Sequence, residues 1–172
     1  AVNPFGILAS AARRADPDAD TIARTFPLVL EPEPREGDAK NMFIGDAPRE
    51  IITFGLLALA HDAPDDCTPR GLWALIAMPA AFDAALDKTY GVPALDALAA
   101  RILERREASP DHAADFLTTA RQKLEIYEAG GLLEGAGQGA TFHHEEIKEG
   151  GTAVFVVGSQ ANIDVLENHV ML

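Results

Sequence analysis

Apolar positions recur at helical spacing along most of this chain. Leu95, Leu98, Ala99, Ile102 and Leu103 fall at i, i+3, i+4, i+7 and i+8, with Arg101, Glu104, Arg105 and Arg106 on the other faces, and so predict an amphipathic helix. A second stripe, Ala113, Phe116, Leu117, Ala120, Leu124 and Tyr127, follows the cap-and-proline pair Ser109-Pro110 and runs to a stop at Gly130-Gly131. Earlier, Asp46 offers a cap with Pro48 in the first turn, and Ile51, Ile52, Phe54, Leu56, Leu57 and Leu59 then put apolar side chains on every side. Such a helix belongs in the middle of a bundle. Thr68-Pro69 opens the next helix through Leu72, Trp73, Leu75 and Ile76. Pro79 restarts the chain into another, with Phe82, Leu86 and Tyr90 on one face and Gly91 as its stop. Two short helices are expected before these, one over Ile7 to Ala12 and one after Asp16-Pro17-Asp18-Ala19-Asp20.

The pattern breaks in three places. Glu31 to Asp38 has proline, glycine and charge but nothing to bury, which predicts an exposed loop and the best internal boundary. Gly130 to Gly139 reads as a glycine-punctuated connector. After it, Thr152-Ala153-Val154-Phe155-Val156-Val157-Gly158 is a continuous β-branched run of the kind buried on both faces of a parallel sheet. A lone buried strand leaves its backbone groups unpaired, so its partners are expected outside this chain. The fold class that follows is mainly α, a compact helical bundle with one or two short flanking strands.

Composition supports that class. Hydrophobic residues make up 48% and aromatics only 6%, so alanine and leucine fill the core, which favours helix packing over a sheet sandwich. Lys and Arg number 14 against 27 Asp and Glu, a net charge of −13 that repels a phosphate backbone; it reads either as a surface that simply confers solubility or as one that suits a basic protein partner over direct DNA binding. The single cysteine, Cys67, rules out an intramolecular disulfide and a cysteine-cluster metal site, in keeping with cytosolic exposure. The longest apolar run, Ile51 to Ala60, is about half the roughly 20 residues of a membrane span, so no membrane contact is expected. Ala1-Val2-Asn3-Pro4-Phe5 lacks the regions of a signal peptide and reads as an internal stretch of a longer chain.

Four groups of residues carry candidate chemistry. His143-His144-Glu145-Glu146 holds metal-ligand types, but adjacent histidines diverge on a helix or a strand and the HExxH spacing is missing, so a solvated turn accounts for them. His61-Asp62 with Asp65, Asp66 and Cys67 gathers acid, base and thiol in one loop, although a helix end and a turn select the same types. The glycines from Gly130 to Gly139 follow a helix and precede no Lys-Ser or Lys-Thr, which argues against a phosphate cradle. Arg101, Arg105 and Arg106 form the one concentrated basic face, with Arg70 and Arg121 as potential neighbours. It is the candidate partner-binding patch, set against a salt-bridged surface shared with Glu104 and Glu107. No catalytic, cofactor-binding or metal residue is assigned.

Asn3-Pro4-Phe5, the run Asp46-Ala47-Pro48-Arg49-Glu50-Ile51-Ile52 leading into Leu56-Leu57-Ala58-Leu59-Ala60-His61, and Ile147-Lys148-Glu149-Gly150-Gly151-Thr152-Ala153-Val154-Phe155-Val156-Val157 resemble, in that order, the coupling proteins of type IV secretion and bacterial conjugation. The family is a membrane-anchored, hexameric RecA-like ATPase with an all-helical domain inserted between strands of its nucleotide-binding domain. The resemblance implies that residues 1–16 leave that α/β domain, residues 17–140 form the all-α domain, and residues 141–172 return to the parent sheet. ATP and Mg are expected in the parent, whose Walker A and Walker B motifs do not occur in these residues. This part is therefore expected not to be an enzyme and to need no cofactor of its own. The implied partners are relaxosome or effector proteins, the parent ATPase domain and neighbouring subunits, at the cytoplasmic face of the bacterial inner membrane. Two alternatives stand beside it: a small free-standing cytosolic enzyme using His61 and Cys67 or the His143–Glu146 cluster, and an architectural insertion that shapes the hexamer.

Overall fold

The computed structural model describes residues 3–30 and 39–135. The elements are α1 (Gly6–Arg13), α2 (Ala19–Leu30), α3 (Ala39–Asp62), α4 (Pro69–Ala77), α5 (Pro79–Leu86), α6 (Pro93–Ala108), α7 (Pro110–Leu124) and a closing 3-10 turn, Glu125–Tyr127. Each helix from α4 to α7 opens on a proline, where the missing N–H removes only a donor that the first turn leaves unpaired anyway. The chain is mainly α, and no strand occurs among the described residues.

The all-round apolar run puts α3 at the centre. Residues 51–58 are all buried, and α3 packs against α1, α2, α4, α6 and α7. Around it, α5 links α4 to α6, and the 3-10 turn prolongs α7 onto α4. The amphipathic helices contribute one face each: Leu8, Ala9, Ala11 and Ala12 from α1, and Leu95, Leu98, Ala99 and Ile102 from α6. These side chains and those of α3 form one continuous buried cluster, in which Phe54 meets Phe82 edge-on at 5.7 Å and Phe5 meets Phe26 at 5.0 Å.

Several local expectations need correction. The central helix begins at Ala39, so Pro48 sits inside it and Asp46 caps nothing; the Asp46 carboxylate instead lies 3.8 Å from the Arg49 guanidinium one turn on. A proline in a helix removes one hydrogen bond, a loss that burial of the apolar residues that follow it outweighs. Helix α5 stops at Leu86, before Tyr90 and Gly91. Tyr90 is held in the following loop, its hydroxyl donating to the Ala85 carbonyl at 3.1 Å and its N–H donating to Asp96 Oδ1 at 2.8 Å. Ser109 precedes α7 without capping it, because its hydroxyl pairs with His112 Nδ1 at 3.1 Å. Thr68 does cap α4, accepting from the Gly71 N–H at 3.0 Å.

Phe5, Leu8 and Ala11, before residue 16, belong to the same buried cluster as Ala23, Phe26 and Ile52 after it. The loop at 31–38, the strand at 152–157 and the flank at 141–172 lie outside the described residues.

Candidate functional site

The basic face of α6 is neutralised by acids from neighbouring helices. Glu50 of α3 reaches between two of its arginines, 3.3 Å from Arg101 Nε and 2.9 Å from an Arg105 terminal nitrogen, while Arg106 pairs with Asp83 of α5 at 2.5 Å. The carboxylates expected to do this, Glu104 and Glu107 on α6 itself, are not the ones used; α3 and α5 bring Glu50 and Asp83 across in the folded chain. These pairs lie on a half-exposed surface, where each contributes about 0–1 kcal/mol. Arg70 does not join this face, because it pairs with Glu134.

His61 and Asp62 end α3, and with Asp65, Asp66 and Cys67 of the loop that follows they form a structural joint. Asp62 pairs with Lys88 and Asp65 with Arg13. Cys67 is fully buried, its Sγ 4.0 Å from the Leu56 carbonyl, and burial pushes its thiol up to about 12. No hydrogen bond joins His61 to Cys67, and among the described residues no group of three or more His, Cys, Asp or Glu is arranged to hold a metal ion. The thiol is consequently a poor nucleophile. A maleimide or disulfide reagent is expected to leave Cys67 unmodified in the folded chain near neutral pH and to label it as fast as the chain unfolds. A raised folded pKa means that stability is complete below the unfolded thiol value and falls as pH rises from about 8.5 towards 12. Labelling of the folded chain at the rate of a free thiol would contradict this burial.

Two distant stretches converge on that joint. The Asn3 side-chain amide donates to the Cys67 carbonyl at 2.8 Å, and its Oδ1 accepts from the Phe5 N–H at 3.1 Å, so a buried asparagine fastens the incoming chain. On the outgoing side, Arg70 pairs with Glu134 at 2.5 Å, and Glu134 also accepts from the Gly130 N–H at 2.9 Å. That backbone hydrogen bond, with Arg70 beside it, holds the Glu134 carboxyl below the usual carboxylate range. Both ends of the helical body are thus tied to residues 65–70. The pairing of Thr68 with Pro69 signals a helix start, but nothing local to Asn3 or Glu134 reveals a partner so far along the chain.

Beside the joint runs an open groove of about 650 Å³ between α3, α4 and the start of α5. Leu59, Ala74, Leu75 and Met78 line it, with Asp65, Asp66 and Thr68 at its edge. A second, small cleft of about 40 Å³ lies under Arg105 and Arg106, lined by Ile51, Phe82 and Phe116. The cluster His143–Glu146 lies outside the described residues. Among the described residues no helix is long and apolar enough to cross a membrane. Compared with family models, with curated proteins and with solved structures, the chain matches none.

Proposed function

We propose that this chain is the helical recognition domain of a type IV secretion coupling ATPase, inserted in the parent's nucleotide-binding domain and engaging relaxosome or effector proteins before transfer. The observation that carries the reading is the joint at 65–70, to which Asn3 and Glu134 are both tied. A domain inserted between two strands must leave and rejoin its parent at neighbouring points, and a helical body with its two ends on one joint meets that requirement. The net charge of −13 supports a basic protein as the direct ligand in preference to bare DNA. The chemistry of ATP and Mg belongs to the parent on this reading. A free-standing enzyme using His61 and Cys67 has little support, because the thiol is buried and protonated.

Titration at low salt with a short single-stranded oligonucleotide and with a basic relaxosome protein tests the preference. Saturable binding of the protein and weak binding of the oligonucleotide are expected; tight oligonucleotide binding that collapses with salt would overturn it. Deleting residues 40–130 from the parent separates recognition from architecture. Altered cargo choice with ATPase activity retained is the expected result, and loss of assembly or of ATPase activity would mark a purely architectural insertion.

A further inference from the structure

The groove beside the joint has an apolar floor and an acidic edge. Leu59 of α3, Ala74 and Leu75 of α4 and Met78 between α4 and α5 make the floor. Met78 is 59% exposed, the highest value for a large apolar side chain among the described residues. At the edge, the Asp65 carboxylate is committed to Arg13, whereas Asp66 is exposed and has no side-chain partner among the described residues. Arg70, the one basic residue lining the groove, is committed to Glu134. The remaining charge of the groove is therefore negative, in a chain whose net charge is already −13.

From these features we infer that the groove docks a short amphipathic helix of a basic protein partner, apolar side chains on the Met78 floor and a lysine or arginine against Asp66. The inference rests on the recognition reading above and assigns it a surface. An open groove with an exposed methionine suits the apolar face of a helix, since methionine adapts its shape to different apolar partners. The uncompensated Asp66 selects a cationic flank, and the field of the whole chain draws such a segment in.

The test uses the full chain labelled at its methionine methyl groups, with Met42, Met78 and Met171 as reporters and Met78→Leu to assign the middle one. The probe is a synthetic amphipathic peptide of about four helical turns, leucine on one face and lysine at the flanks, compared with the same peptide carrying glutamate for lysine. The Met78 methyl resonance is expected to shift saturably with the lysine peptide alone. Asp66→Lys is expected to weaken binding by about tenfold or more, and Met78→Asp likewise, whereas Glu107→Lys on exposed α6, which changes the net charge by the same amount, stays within about twofold. Equal weakening by Asp66→Lys and Glu107→Lys would overturn the groove in favour of non-specific attraction. A lysine peptide that binds while Met78 stays silent would also overturn it, leaving the recognition reading intact. Shielding of Met78 from a soluble paramagnetic agent in the chain alone would assign the groove to residues 136–172 or to a second copy and overturn the partner. Failure of the lysine peptide and of a basic relaxosome protein alike would remove the recognition reading as well.

Discussion

Phe54→Ala is expected to lower the free energy of unfolding by about 3–5 kcal/mol, a large part of the roughly 5–15 kcal/mol that holds a domain together. Phe54 lies at the middle of α3 with no exposed surface, and its ring is met edge-on by Phe82 at 5.7 Å and by Tyr90 at 6.4 Å. Truncation removes the buried ring and leaves a hole that α3 cannot collapse into, because residues on every side of that helix are already packed. The two edge-on aromatic contacts add about 0.5–1.5 kcal/mol each beyond buried area. Phe54→Leu keeps much of the volume and is expected to cost less than half as much. Thermal unfolding followed by circular dichroism checks both: the alanine variant should melt on the order of 10 °C lower, given about 2–4 °C per kcal/mol in a chain of this size. A loss under about 1 kcal/mol would contradict a core centred on α3.

Gly71→Ala is the second large effect, and its sign runs against helix propensity. Alanine gains about 1 kcal/mol over glycine in a helix interior, so an exposed helical glycine would be improved by the change. Gly71 is not free to accept it: a Cβ there would lie 2.0 Å from the Asp66 carbonyl oxygen and 3.3 Å from Thr68 Oγ1. The obstacle is backbone and cannot swing aside, and the Gly71 N–H is the donor that Thr68 caps. Overpacking at about 1–3 kcal/mol or more, together with a weakened cap at about 1 kcal/mol, outweighs the propensity gain and gives a net loss of about 2 kcal/mol. Gly6, with nothing near its added Cβ, supplies the contrast: Gly6→Ala is expected to be neutral or mildly stabilising. Chemical denaturation of the two variants side by side decides the matter. Equal behaviour would mean that the joint is looser than the 2.0 Å approach implies.

Much of the bundle is legible in the sequence because its helices are written by local signals. Pro69, Pro79 and Pro110 mark starts, and the stripe from Leu95 to Ile102 faces the core as its spacing predicts. The errors fall where tertiary packing overrides a local preference. Asp46-Ala47-Pro48 has the chemistry of a helix start, yet the helix runs through it from Ala39. Tyr90 continues the apolar spacing of α5 but takes its hydrogen bonds from Ala85 and Asp96 after the helix has ended. The basic patch was readable as arginines on one face, whereas the acids that neutralise it come from α3 and α5, which no spacing along α6 can reveal. The joint was hidden for the same reason. Asn3-Pro4-Phe5 stands out in the sequence, but the structural role of its asparagine is given only by the distant carbonyl of Cys67.

The ties at that joint also divide the chain. Asn3 to Cys67 spans 64 positions, and Arg70 to Glu134 spans another 64, so the backbone runs as two equal lobes of a figure of eight that cross at residues 67–70. Tension applied between the two ends would pass from Asn3 to Cys67, along three residues, and out through Arg70 to Glu134. Pulling Asn3 and Glu134 apart would load this short bridge together with the core positions beside them, Phe5 and Leu133.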